Sequence, residues 1–193
     1  MPLDVTKGIE QSSIGNLNSA RLDTIIVGLG NPILGDDGIG WRIAEEVNYK
    51  LKNLPDNINW LPFQNGIDVV CISSGGLSLM EQLIGYRNAV IIDAIDNHQH
   101  PVGFVSCFPL EEIEEPFTGH TSAIHDTSLK TAIALGKTLG AKLPDNIMIV
   151  AVQASIEYIF SERLSEAVEE AIDSAIELVF GILQRWSGNS KAE

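Results

Sequence analysis

Basic residues are scarce in this sequence: 12 Lys and Arg stand against 26 Asp and Glu in 193 residues, a formal net charge of −14 at pH 7. Such a chain repels polyanions, which argues against a nucleic-acid partner or an anionic membrane surface. Cysteine is also rare. Cys71 and Cys107 have no CxxC and no paired Cys/His spacing, so neither a disulfide framework nor a structural zinc site is expected, and a reducing compartment is. No apolar run approaches the roughly 20 residues that span a bilayer, and no basic segment followed by an apolar stretch opens the chain. The expected address is the cytoplasm, without a membrane partner. Aromatics are only 6% of the residues, yet 45% are hydrophobic, enough to exclude disorder in a length that suits one α/β domain.

Residues 1–22 mix polar and apolar positions at no consistent period and are expected to form a loosely held extension, with the domain at 23–186 and a polar tail at 187–193. Thr24-Ile25-Ile26-Val27-Gly28 has the composition of a strand buried on both faces. Ile43, Ala44, Val47, Leu51 and Leu54 then recur at helical spacing until Pro55. Two apolar stretches compete for the second strand, 58–63 and 67–72, and the later is preferred. A helix is expected over 77–86, strands over 89–93, 103–108 and 147–152, and helices starting at Asp126 and at Ser165. Glu111, Glu112, Glu114 and Glu115 lie in a long connection after the fourth strand. Alternating strand and helix patterns predict a three-layer α/β/α domain with a mostly parallel twisted sheet. In such sheets ligands bind beyond the carboxyl ends of the strands.

The polar residues that could do chemistry follow predicted strands or open predicted helices. Asp36-Asp37-Gly38 comes one loop after the first strand, where an acid can also serve simply as a helix cap. Asp93 closes an otherwise apolar strand, a place where a structural role would more often fall to an uncharged turn residue. His125 directly precedes a helix start, whereas His98 and His100 sit in a polar turn. Two carboxylates and one imidazole on one sheet edge would make a three-ligand site for a divalent ion such as nickel or zinc. The Gly-x-Gly after the first strand lacks the third glycine and the spacing of a dinucleotide fingerprint, and Ser73-Ser74-Gly75-Gly76 lacks the Gly-x-Ser-x-Gly context of a serine hydrolase. The glycines are better read as permitting a tight strand-to-loop turn and a close backbone approach to a ligand or partner.

The run Gly28-Leu29-Gly30-Asn31-Pro32-Ile33-Leu34-Gly35-Asp36-Asp37-Gly38-Ile39-Gly40 resembles the opening motif of the hydrogenase maturation proteases. Gly75-Gly76-Leu77-Ser78-Leu79-Met80-Glu81, Ile92-Asp93-Ala94, His125-Asp126-Thr127-Ser128-Leu129 and Leu164-Ser165-Glu166-Ala167-Val168 resemble later segments of that family, in order. The resemblance implies a phosphorylase/hydrolase-like fold and an aspartyl-type endopeptidase. It would trim the C-terminal extension of a nickel–iron hydrogenase large-subunit precursor once nickel is in place. It also implies that Asp37, Asp93 and His125 are the metal-contacting and catalytic residues, with Asp36 or Asp37 as a possible general base. Nickel would come with the precursor, and no tightly bound cofactor is expected in the free enzyme. The chain departs from the family pattern around 57–66, which looks like an insertion, and in Ala154-Ser155-Ile156-Glu157, which lacks the proline often found there.

Peptidyl-tRNA hydrolases also open with Gly-Leu-Gly-Asn-Pro. Their next glycine is replaced here by Ile33, their Thr-Arg-His-Asn segment is missing, and the acidic charge opposes tRNA. A noncatalytic nickel-sensing factor would use the same three ligands and differ only in lacking turnover.

Overall fold

The computed structural model describes residues 22–55, 66–113, 128–155 and 160–189. Within them run β1 (Leu22–Leu29), α1 (Ile39–Lys52), β2 (Ile67–Ile72), α2 (Gly76–Gln82), β3 (Tyr86–Ile95), β4 (Val105–Pro109), α3 (Leu129–Thr138), β5 (Asn146–Gln153) and α4 (Glu166–Asn189). The strands form one sheet in the order β2-β1-β3-β5-β4, parallel except for the edge strand β4, which pairs antiparallel with β5.

The residues of β3 explain its central place. Ala89 to Ile95 are all buried, as a strand must be when helices cover both faces of its sheet. One face carries Ile26, Val90, Ile92, Val150 and Val152 against Ile43 and Val47 of α1 and Val179 and Leu183 of α4. The other carries Ile25, Val27, Ile91 and Ile149 against Leu79 of α2, Leu83 just after it, and Ala132 and Ile133 of α3. The expected three-layer, mostly parallel architecture is therefore present, and 67–72 is the second strand, while 56–65 lies outside the described residues.

Two of the element ends that depart from the sequence reading have a clear local cause. The helix expected over 77–86 stops at Gln82, because Gly85 takes a left-handed backbone (φ 95°) and Tyr86 already belongs to β3. At the other end α4 continues to Asn189. Ser187, expected to begin the polar tail, is buried and returns its hydroxyl to the Gln184 carbonyl (2.8 Å), so the helix tolerates it. The extension at 1–21 and most of the connection at 114–127 lie outside the described residues.

The close backbone approach expected of the glycines is an internal one. A Cβ on Gly40 would overlap the carbonyl oxygens of Leu29 and Ile92, and one on Gly28 would overlap the carbonyl of Gly40. The first turn of α1 therefore rests directly on the ends of β1 and β3. This contact brings the loop before α1 over the carboxyl edge of the sheet.

Candidate active site

The chain leaves β1 through α1 toward β2 on one side of the sheet, while β3 feeds the other side through β4 and β5. The carboxyl ends of β1 and β3 therefore border a topological switch point, the usual place for a ligand crevice in an open α/β sheet. Gly30 (φ 134°) and Gly35 (φ 62°) let the chain double back there. A 3-10 turn, Gly35–Gly38, then leads into α1 and touches β3.

Asp37 lies in that turn and is 2% exposed, and the backbone N–H of Asn31 donates to its Oδ2 at 2.8 Å. A charge-assisted bond of this kind offsets part of the cost of burying a carboxylate. Asp93, also 2% exposed, is the acid near the end of β3. Strand alternation puts it on the face of Ile91 and Ile95, toward α2 and α3. Because Gly40 packs on the Ile92 carbonyl, the turn bearing Asp37 lies close to the peptide leading into Asp93.

Asp36 points elsewhere. Its Oδ1 accepts from the Ser165 N–H at 2.6 Å and its Oδ2 from the Ser165 hydroxyl at 2.8 Å. A carboxylate at the start of α4 also suits the positive end of that helix. His125, the third predicted ligand, lies outside the described residues, as does His120. His98 is exposed and pairs with Asp96 (Nδ1 to Oδ1, 3.0 Å), and His100 stacks on Phe104 with ring centroids 4.1 Å apart. Among the described residues no group of three or more His, Cys, Asp or Glu side chains could hold a metal ion. At the start of α3, Ser128 caps the helix by accepting from the Thr131 N–H.

Neither thiol suits a cysteine nucleophile. Burial, reinforced by the charge of Glu45, pushes the Cys71 thiol up to about 11, and burial raises Cys107 against the opposing charge of Arg185. At neutral pH the reactive thiolate is thus a minor species at both positions.

Sequence reasoning passed over Gln153. It closes the apolar strand β5, is 1% exposed, and shares the sheet face of Asp93, since Ala151 pairs with Asp93 and Gln153 with Ile95. Its Nε2 donates to the carbonyls of Ile95 (3.1 Å) and Ala154 (3.2 Å), knitting the ends of β3 and β5 together. The signal was available, because a polar residue ending an apolar strand is what singled out Asp93.

A protein-family model described as hydrogenase maturation protease matches residues 62–182. Among curated proteins, the hydrogenase expression/formation protein HoxM of Cupriavidus necator is 22% identical over 167 residues, covering 85% of this chain and 75% of HoxM. HupD, a protein with the same description from Bradyrhizobium diazoefficiens, is 26% identical over 163 residues, covering 84% and 78%. Among solved structures, the hydrogenase maturating endopeptidase HybD from E. coli superposes with a TM-score of 0.63 at 24% identity, covering 84% of this chain and 93% of that one. That likeness supports the fold described above. No described helix is long and apolar enough to cross a membrane.

Proposed function

This chain belongs to the hydrogenase maturation protease family, a family of peptide-bond hydrolases, and from that membership we propose that it removes the C-terminal extension of a nickel–iron hydrogenase large-subunit precursor, reading the nickel already held by the precursor. The observation that carries the proposal is the pair of buried carboxylates, Asp37 and Asp93, at the switch point of the sheet. Two buried carboxylates at the same end of the sheet concentrate negative charge there, and a cation arriving with the substrate would be attracted to both. His125 completes the proposed set as the neutral nitrogen donor. Two carboxylates and an imidazole leave coordination positions open, which suits a site that inspects an ion bound by another protein.

In this reading, engagement of the precursor's nickel holds the adjoining polypeptide over the crevice, so the scissile bond is presented only when the ion is there. Asp37 or Asp93 then accepts a proton from the attacking water, and hydrolysis releases the extension with a new carboxylate and a new amine. Asp36 anchors the turn. Supporting that division are its two bonds to Ser165, which occupy both of its carboxylate oxygens.

Incubation of the purified protein with nickel-loaded and nickel-free precursor, followed by mass spectrometry, tests the proposal. The loaded form is expected to lose its extension while the free form stays intact. Equal trimming of both forms would remove nickel from the recognition step, and trimming of neither would remove the activity.

Asp36→Ala separates the two neighbouring acids. Loss of two solvent-accessible bonds is expected to cost about 1 kcal/mol and to lower Tm by roughly 2–4 °C, while processing by the folded protein stays within about threefold of wild type. A variant with unaltered Tm and no processing would instead make Asp36 a reacting group.

A further inference from the structure

Two large apolar side chains are exposed beside this site, on segments bound to each other and to the turn that carries the acids. Leu34 and Ser161 form an isolated parallel bridge. The Ser161 N–H donates to the Ile33 carbonyl (3.0 Å) and the Gly35 N–H to the Ser161 carbonyl (2.6 Å). The peptide following Phe160 thus bonds the peptide following Ile33, so the residues preceding the two bridge partners have neighbouring backbones. Those residues are Ile33, 45% exposed, and Phe160, 82% exposed. Ile33 is four residues before Asp37, and Phe160 is five before Ser165, which grips Asp36.

A phenylalanine left so far in water contributes little to the fold, and together with the exposed Ile33 it offers apolar surface next to the turn that bears Asp36 and Asp37. The pair is too small for a stable contact between two copies of this chain, since such interfaces bury on the order of 1,000 Å² or more. It matches the size of one side chain of an extended polypeptide. A peptide bond reaching the buried carboxylates must bring its flanking residues across the loops at this edge, and the Ile33–Phe160 pair stands on two of those loops.

We propose that Ile33 and Phe160 form a specificity contact that receives an apolar side chain of the substrate polypeptide beside the scissile bond. The proposal rests on the reading of Asp37 and Asp93 as the reaction site. Such a contact adds binding that is equal before and during the reaction, so its loss raises KM and spares kcat.

The test compares wild type, Phe160→Ser, Ile33→Ser, Phe160→Leu and Asp93→Asn in steady-state processing of the nickel-loaded precursor, with Tm measured for each. The two serine variants are expected to keep the wild-type Tm and to raise KM about tenfold with kcat within about twofold, and Phe160→Leu to recover most of the affinity. Unchanged KM in both serine variants, with Asp93→Asn inactive, would overturn the specificity contact and leave the reaction site standing. Wild-type processing by Asp93→Asn would overturn the site and this proposal with it. A wild-type dimer that Phe160→Ser dissociates, at unchanged KM, would assign the pair to a second copy of the chain and overturn the proposal as well.

Discussion

Asp93→Asn and His125→Ala are each expected to lower precursor processing by about a hundredfold or more, equivalent to ~2.7 kcal/mol of lost transition-state stabilisation. The asparagine side chain matches aspartate in shape, so the closely packed end of β3 accommodates it, and only the charge is withdrawn. That charge is what the proposal requires, because a neutral amide is a poor ligand for a divalent cation and cannot take a proton from water. Asp37→Asn should behave alike. Its amide oxygen can still accept from the Asn31 N–H, which holds the loop in place. For all three variants, thermal unfolding within a few degrees of wild type would show that the loss lies in chemistry. Mass spectrometry of the C-terminal fragment released from nickel-loaded precursor measures the effect. A rate within threefold of wild type for Asp93→Asn or His125→Ala would remove that residue from the site.

Gly40→Ala is expected to destabilise the protein by about 3 kcal/mol or more, beyond the usual range for one added methyl group. The new Cβ would meet the carbonyl oxygens of Leu29 and Ile92. These are backbone atoms of two central strands, which cannot rotate away as a side chain would. Relief would need α1 to lift from the sheet, carrying the turn with Asp36 and Asp37 away from β3. Gly181→Ala provides the control. Gly181 lies inside α4 with open space around its Cβ position, so alanine there should stabilise the helix by ~0.5–1 kcal/mol. Urea unfolding of the two variants against wild type would show opposite shifts in midpoint. A Gly40→Ala protein within 1 kcal/mol of wild type would refute the close packing of α1 on the sheet.

Much of this molecule was written in local patterns. The β-branched run Thr24-Ile25-Ile26-Val27 could only be satisfied by burial on both faces, and the three-to-four spacing of Ile39, Ile43 and Val47 required a helix with one face on the core. Residues 103–108 come nearer to alternation than the other strands, which suits a strand at the edge of the sheet. Boundaries were less legible where a polar residue could supply its own hydrogen bond. Ser187 ends an apolar pattern to the eye, yet its bond to Gln184 keeps it inside α4. Gly85 marked the true end of α2, but the apolar residues on either side of it read as one segment.

By itself the sequence determined the layer architecture, the acids after the first strand and near the end of the third, and membership of a family of proteases, because each rests on residue types and spacings within a few positions of one another. Tertiary structure alone decided which of two adjacent aspartates is buried. Asp36 is drawn to Ser165 across 129 residues of chain, and Asp37 is buried in a turn that touches β3. It also decided that Gly40 lets α1 rest on β3, that Gln153 shares the face of Asp93, and that Leu34 is bridged to Ser161. Strand order and register create those neighbours, and no periodicity along a single segment encodes which distant segment will lie beside it.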